Sequence, residues 1–137
     1  MTAARSPTAT AVLVAAVALG AAMGGNGLYM LYDPNGWYLA VPGVPRTGPF
    51  NQHFIRDIGL IYVLIGAAFA GGAYTAQRTA LWAAATLWLA GHALFHLWEV
   101  AAGLCGADAI PRDFPGVTVP ALLGLALTAW SVRNPAR

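Results

Sequence analysis

Two of the three histidines in this chain stand four residues apart, in Gly91-His92-Ala93-Leu94-Phe95-His96-Leu97-Trp98-Glu99. A glutamate follows three residues after the second. At about 100° per residue, His96 and Glu99 lie within about 40° of His92, so a helix carries all three on one face. The third histidine, His53, opens another apolar run and has Asp57 four residues later, again on one helical face. His53, Asp57, His92, His96 and Glu99 are therefore the candidate site residues.

Several chemistries use such a set. Imidazole and carboxylate ligate zinc, copper or iron, and this transition-metal reading ranks first. Haem b, with His53 and His92 or His96 as axial ligands from two helices, ranks below it. A histidine beside carboxylates in a low-dielectric cavity also suits acid–base work or proton handling without a metal. Membrane-embedded isomerases of the sterol type offer an analogy of architecture for that reading. Against all of these stands a purely structural polar cluster, in which Arg56 pairs with Glu99 and Asp57 accepts from His53 or His96 to lock the helices together. No motif specifies a reaction, so the sequence assigns neither an enzymatic nor a non-enzymatic class. Three histidines are too few for the membrane di-iron desaturases and hydroxylases, which carry several histidine boxes.

The composition says where the residues sit. The chain of 137 residues is 58% hydrophobic and 9% charged, against about 25% charged in ordinary soluble domains. So few charges cannot cover a soluble surface of this size, and the expectation is an all-α, polytopic membrane protein, a bundle of four transmembrane helices. The net charge of +2, carried entirely by dispersed arginines, is too small for a nucleic-acid footprint. The single cysteine, Cys105, excludes an internal disulfide or a Cys-x-x-Cys pair, and with them the small four-helix thiol oxidases. Cys105 reads as an idle loop thiol.

The whole chain, 1–137, reads as a single membrane domain with spans at about 9–32, 54–74, 81–102 and 116–132 and outer loops at 33–53 and 103–115. The first span exceeds the roughly 20 apolar residues that cross a bilayer. A cleaved secretory signal is its competing reading, because Arg5 precedes the apolar core. Ala16, Gly20 and Gly24, four apart, would let another helix approach closely. Prolines 34, 42, 45 and 49 and glycines 36, 43 and 48 exclude regular structure from the first outer loop. Its aromatic residues suit a membrane boundary or a lid. Asn51 is the expected N-cap of the second span. The tight polar connection Gln77-Arg78-Thr79 makes spans two and three antiparallel neighbours. Pro120 falls in the first turn of the fourth span, and Asp108, Arg112 and Asp113 read as loop and cap residues.

Four spans put both termini on one side. Arg5, Arg78, Arg133 and Arg137 fall there with no acid among them, while Arg46, Arg56, Arg112 and all five acids fall opposite. The positive-inside bias then places both termini in the cytoplasm and the protein in the bacterial inner membrane. Span two starts at the outer side and span three ends there, so His53, Asp57, His96 and Glu99 share the outer leaflet, with His92 one turn deeper. The expected site lies between these two spans. Arg56-Asp57-Ile58-Gly59 and Arg112-Asp113-Phe114-Pro115-Gly116 each open a span from that side. This echo fits either duplicated helix pairs or acids favoured at helix N-termini.

Val41-Pro42-Gly43-Val44-Pro45 and Thr47-Gly48-Pro49-Phe50-Asn51-Gln52-His53-Phe54-Ile55-Arg56-Asp57-Ile58-Gly59 resemble a stretch of small bacterial four-span membrane proteins of uncharacterised function. His92-Ala93-Leu94-Phe95-His96-Leu97-Trp98-Glu99 resembles their third span. The layout is also loosely similar to DoxX-like four-span proteins. The resemblance implies architecture and no activity.

Two functions from different classes follow. One is a metal-binding membrane protein with its site at His53, Asp57, His92, His96 and Glu99. The other is a small accessory subunit packed against a larger membrane complex, or a homo-oligomer, embedded in the lipid bilayer.

Overall fold

The computed structural model describes residues 6–136. Arg5 and Arg137, both counted in the orientation argument, lie outside the described residues. Every element among those residues is helical: α1 (Pro7–Tyr32), α2 (Pro34–Ala40), α3 (Val44–Thr47), α4 (Gln52–Gly72), α5 (Arg78–Ala101), α6 (Ala109–Asp113), a π-helical turn (Phe114–Thr118) and α7 (Val119–Arg133). Four helical stretches, Pro7–Tyr32, Gln52–Gly72, Arg78–Ala101 and Ala109–Arg133, are long and apolar enough to cross a bilayer. The chain is an all-α membrane protein built as a four-helix bundle.

The helix boundaries have local causes. Ser6 Oγ accepts the Ala9 N–H, and Pro7 follows at the first helical position, where its missing N–H is harmless. Asn51 Oδ1 accepts from the N–H groups of both His53 and Phe54 at 3.1 Å, so Asn51 caps α4 as expected. At the other end of α5, Gly103 adopts φ +75°, while the N–H of Leu104 bonds Glu99 O and that of Gly103 bonds Val100 O. This is a Schellman stop. The left-handed residue turns the chain sharply back, and α6 packs on α5 as a result.

The segments expected as irregular outer loops contain helices. The first contains α2 and α3. Asp33 Oδ1 accepts the Gly36 N–H at 2.8 Å and Pro34 sits at the first position of α2, so here a proline starts a helix rather than preventing one. Trp37 from α2 donates its indole N–H to Asn26 Oδ1 of α1 at 2.9 Å, and Tyr38 O–H donates to Gly48 O at 2.9 Å. These bonds fold the segment against the bundle end. The fourth spanning stretch begins at Ala109, seven residues before the expected start. Pro120 therefore lies well inside it. A proline ring clashes with the carbonyl four residues back in regular α geometry, and the widened π-helical turn directly ahead of α7 relieves that conflict.

The bundle is tightest between α1 and α4. A Cβ on Gly66 would lie 2.6 Å from Gly24 N and 2.7 Å from Gly20 O, and one on Gly27 would lie 2.5 Å from Gly59 O. Backbones touch here because side chains are missing on both sides. The expected small-residue face of the first span is thus an interhelical contact, with Ala16 and Gly20 buried. Spans two and three pack as the short connection implies. Trp82 lies fully buried against Phe69 and donates its indole N–H to Phe69 O at 3.0 Å. Between α5 and α7, Thr86 and Thr128 share a hydroxyl hydrogen bond of 2.9 Å, and Arg78 donates to Asn134 O at 2.7 Å. The start of α5 and the end of α7 therefore share one end of the bundle. At the opposite end, Arg56 of α4 donates to Leu31 O near the end of α1.

Candidate functional site

The C-terminal end of α5 and the start of the fourth spanning stretch carry a linked polar cluster. His96 projects from α5 toward Asp113, the last residue of α6, with Nδ1 2.9 Å from Oδ2. Arg112 grips the same carboxylate twice: Nε donates to Oδ1 at 2.7 Å and Nη2 to Oδ2 at 3.2 Å. Arg112 and Asp113 side chains are largely buried, and that of His96 is 29% exposed. Arg112 Nη1 also reaches Asp108 Oδ2 at 3.5 Å, and Arg46 from α3 approaches the same oxygen at 3.4 Å. The backbone of Gly43, at φ +92°, lies directly on the Arg112 guanidinium, where any Cβ would collide with Nε. One chain of contacts thus runs from the first outer segment through Arg112 to Asp113 and His96.

This geometry assigns roles. Asp113, held by a two-point guanidinium contact, is an acceptor. His96 Nδ1–H therefore donates to it, and in the neutral imidazole that tautomer carries its lone pair on Nε2. A cavity of about 20 Å³ borders His96, Asp113, Val117 and Thr118, enough for one water molecule.

His92 lies one turn deeper. Its ring stacks on Trp88 (centroids 4.9 Å apart, planes at 21°) and meets His96 edge-on at 4.6 Å. Tyr62 of α4 packs edge-to-face against both Trp88 and His92, at 5.2 and 6.4 Å. The two imidazoles expected on one face of span three are in contact, and α4 reaches His92 through the Tyr62 ring.

Two other candidates bond each other rather than this pair. His53 and Asp57 pair with each other, Nε2 to Oδ2, at 3.2 Å, with 86% and 56% of their side chains exposed. Arg56 bonds Gln52 Oε1 and Leu31 O rather than Glu99. Glu99 is half-buried, and its backbone carbonyl closes the Schellman stop. Among the described residues, no three His, Cys, Asp or Glu side chains are grouped so that they could hold one metal ion.

Asp113 and Arg112, which the sequence presents as loop and cap residues, are the side chains that His96 meets. A signal for them existed. The second and fourth spans begin at the same end of the bundle, so the depth reasoning that singled out His53 and Asp57 applies equally to Asp113. The echo between Arg56-Asp57 and Arg112-Asp113 does not extend to their contacts: the second pair bonds internally, and the first does not.

The fold and the cluster define a class: a four-helix membrane protein with a histidine–carboxylate pair at one end of the bundle. No protein-family model, curated protein or solved structure matches the chain.

Proposed function

We propose that this is an integral protein of the bacterial inner membrane, with both termini cytoplasmic, in which His96 works as an acid–base group in the outer leaflet. The observation that carries the reading is the 2.9 Å contact between His96 Nδ1 and Asp113 Oδ2 beside a cavity the size of one water. Asp113 holds the imidazole in one tautomer, so Nε2 takes up and releases a proton at a defined position. Burial beside the carboxylate raises the electrostatic effect of that pairing above its value in water. Arg112 keeps Asp113 charged and oriented, and the salt-linked outer segments cover it. In the sequence, four arginines, Arg5, Arg78, Arg133 and Arg137, stand on the side of the termini against three, Arg46, Arg56 and Arg112, on the other, and this bias supports the orientation.

A second reading has its own observation. A metal-bound histidine characteristically donates its other ring N–H to a carboxylate, and His96 already does so, with His92 beside it. In that reading His92 and His96 hold zinc, copper or iron, and Asp113 orients His96.

One preparation tests both. Histidine-labelled protein in nanodiscs is examined by ¹⁵N NMR, and its metal content is measured by mass spectrometry. The acid–base reading expects His96 as the Nδ1–H tautomer, loss of that preference in Asp113→Asn, and no stoichiometric metal. A His96 that carries its proton on Nε2 at neutral pH overturns it. Stoichiometric metal that is lost in both His92→Ala and His96→Ala establishes the second reading instead.

A further inference from the structure

The charged cluster lies under a segment that little holds down. The Arg112 and Asp113 side chains are 17% and 15% exposed, and the backbone of Gly43, between α2 and α3, lies on the Arg112 guanidinium. A Cβ on Gly43 would lie 2.5 Å from Nε and 2.6 Å from the central guanidinium carbon, so glycine is what permits the approach. The covering turn itself has few anchors. No residue of α3 is buried, and Pro42 and Pro45 have no N–H to bond with. The Arg46 N–H donates to Gly43 O at 2.9 Å and the Thr47 O–H to Val44 O at 2.8 Å, which gives the turn a shape without fixing it to α6. Among the described residues, its one hydrogen bond across to the second segment is Arg46 Nη2 to Asp108 Oδ2, at 3.4 Å, between side chains 67% and 63% exposed.

We infer that residues 41–47 form a strap that gates solvent access to the Arg112–Asp113–His96 cluster, with Arg46–Asp108 as its latch. A segment with no buried apolar anchor is drawn from the low-stability end of a fold and opens without the rest. An exposed ion pair shifts such an opening equilibrium by about two- to fivefold. That is enough to bias the strap toward closure and small enough for salt to release it. The side chains beneath are bonded to one another, Arg112 to Asp113 and Asp113 to His96, so the cluster keeps its partners when the strap lifts. Water then reaches the carboxylate and its bond to the imidazole, and closure shuts it out. The inference deepens the acid–base reading by adding control over when His96 exchanges protons with the aqueous phase. It rests on that reading for its purpose but not for the motion.

The test follows exchange of the Arg112 Nε–H with water, by ¹⁵N NMR of arginine-labelled protein in nanodiscs. Raising the salt concentration should accelerate exchange by about two- to fivefold. Arg46→Ala removes an exposed side chain, so it should fold normally, show the fast rate already at low salt and lose the salt response. A second variant combines Arg46→Cys and Asp108→Cys with Cys105→Ser, so that no other thiol reacts. Crosslinking it with a short bismaleimide should slow exchange by about tenfold or more against the same protein capped with N-ethylmaleimide. The amides of α5 should exchange at unchanged rates throughout, which separates a lifted strap from an opened bundle. An unaltered rate in Arg46→Ala, an unaltered rate on crosslinking, or parallel acceleration of the α5 amides overturns the inference. The His96 tautomer, measured in the unaltered protein, reports on the acid–base reading separately, so failure of one is distinguishable from failure of the other.

Discussion

Asp113 Oδ2 lies 2.9 Å from His96 Nδ1, across the seam where the end of α5 meets the helical lead-in to the fourth span. Seventeen residues separate the two in sequence, and the Schellman stop at Gly103 is what folds that interval back on itself. Asp113→Asn should retain the fold, because the amide matches the carboxylate in shape. It should lower stability by about 1.5–3 kcal/mol, the range for a lost hydrogen bond to a charged group. Denaturant titration in detergent measures this, and a change well under that range would mean the pair contributes nothing to the bundle.

Arg46 and Arg112 share Asp108 but differ in burial. Arg46→Ala should cost less than about 1 kcal/mol, as exposed ion pairs do, and its small effect should vanish at high salt. Arg112→Ala removes both guanidinium bonds to a largely buried carboxylate and should cost more, about 1–3 kcal/mol. The comparison at two salt concentrations checks the ranking. Equal effects would mean that the cluster behaves as open surface.

The α1–α4 contact predicts a sharp contrast between glycines. Gly66→Ala drives a methyl group into the backbone of α1 and should destabilise by about 1–3 kcal/mol, as overpacking does. Gly71→Ala, on the same helix with nothing within 4 Å of the added carbon, should be neutral or slightly stabilising, since alanine is the better helix former. Thermal unfolding of the two variants side by side decides the point.

Trp37 is anchored to α1 by a side-chain bond to Asn26. Asn26→Leu should cost about 1 kcal/mol and release α2. Amide exchange should accelerate over residues 34–40 and remain unchanged in α5. Uniform acceleration across the chain would show instead that Asn26 supports the whole bundle.

The exposed His53–Asp57 pair tests how far the site extends. Neither His53→Ala nor Asp57→Ala should alter the His96 tautomer, and each should change stability by less than about 1 kcal/mol. If purified protein carries a metal, its retention in both variants would confine the ligands to α5, whereas its loss would bring His53 and Asp57 into the site.

Much of the architecture was readable from composition alone. Spans are averages over some twenty residues, and an average survives error in any one position. The cap at Asn51 and the α4–α5 hairpin were legible for a related reason: each depends on neighbours in sequence. The proline-rich outer segment was misread because proline both starts and breaks helices. Pro34 follows a capping aspartate, and only that local hydrogen bond reveals which role it takes. The fourth spanning stretch starts ahead of its expected bound, because the chain carries Pro111 in the first turn of α6, Pro115 in the π-helical turn and Pro120 in the first turn of α7.

By itself, then, the sequence determined that four apolar helices cross a membrane, that His92 and His96 share a face, and that the ionisable groups gather at one end. Those properties follow from hydropathy and from the helical repeat. Only the tertiary structure decided which carboxylate His96 meets. Asp57 and Asp113 both head spans that enter from the same side. Choosing between them depends on the sharp return at Gly103 and on the close glycine packing of α4 against α1. Contacts of that kind are set by distances between backbones, and no spacing along a single chain encodes them directly.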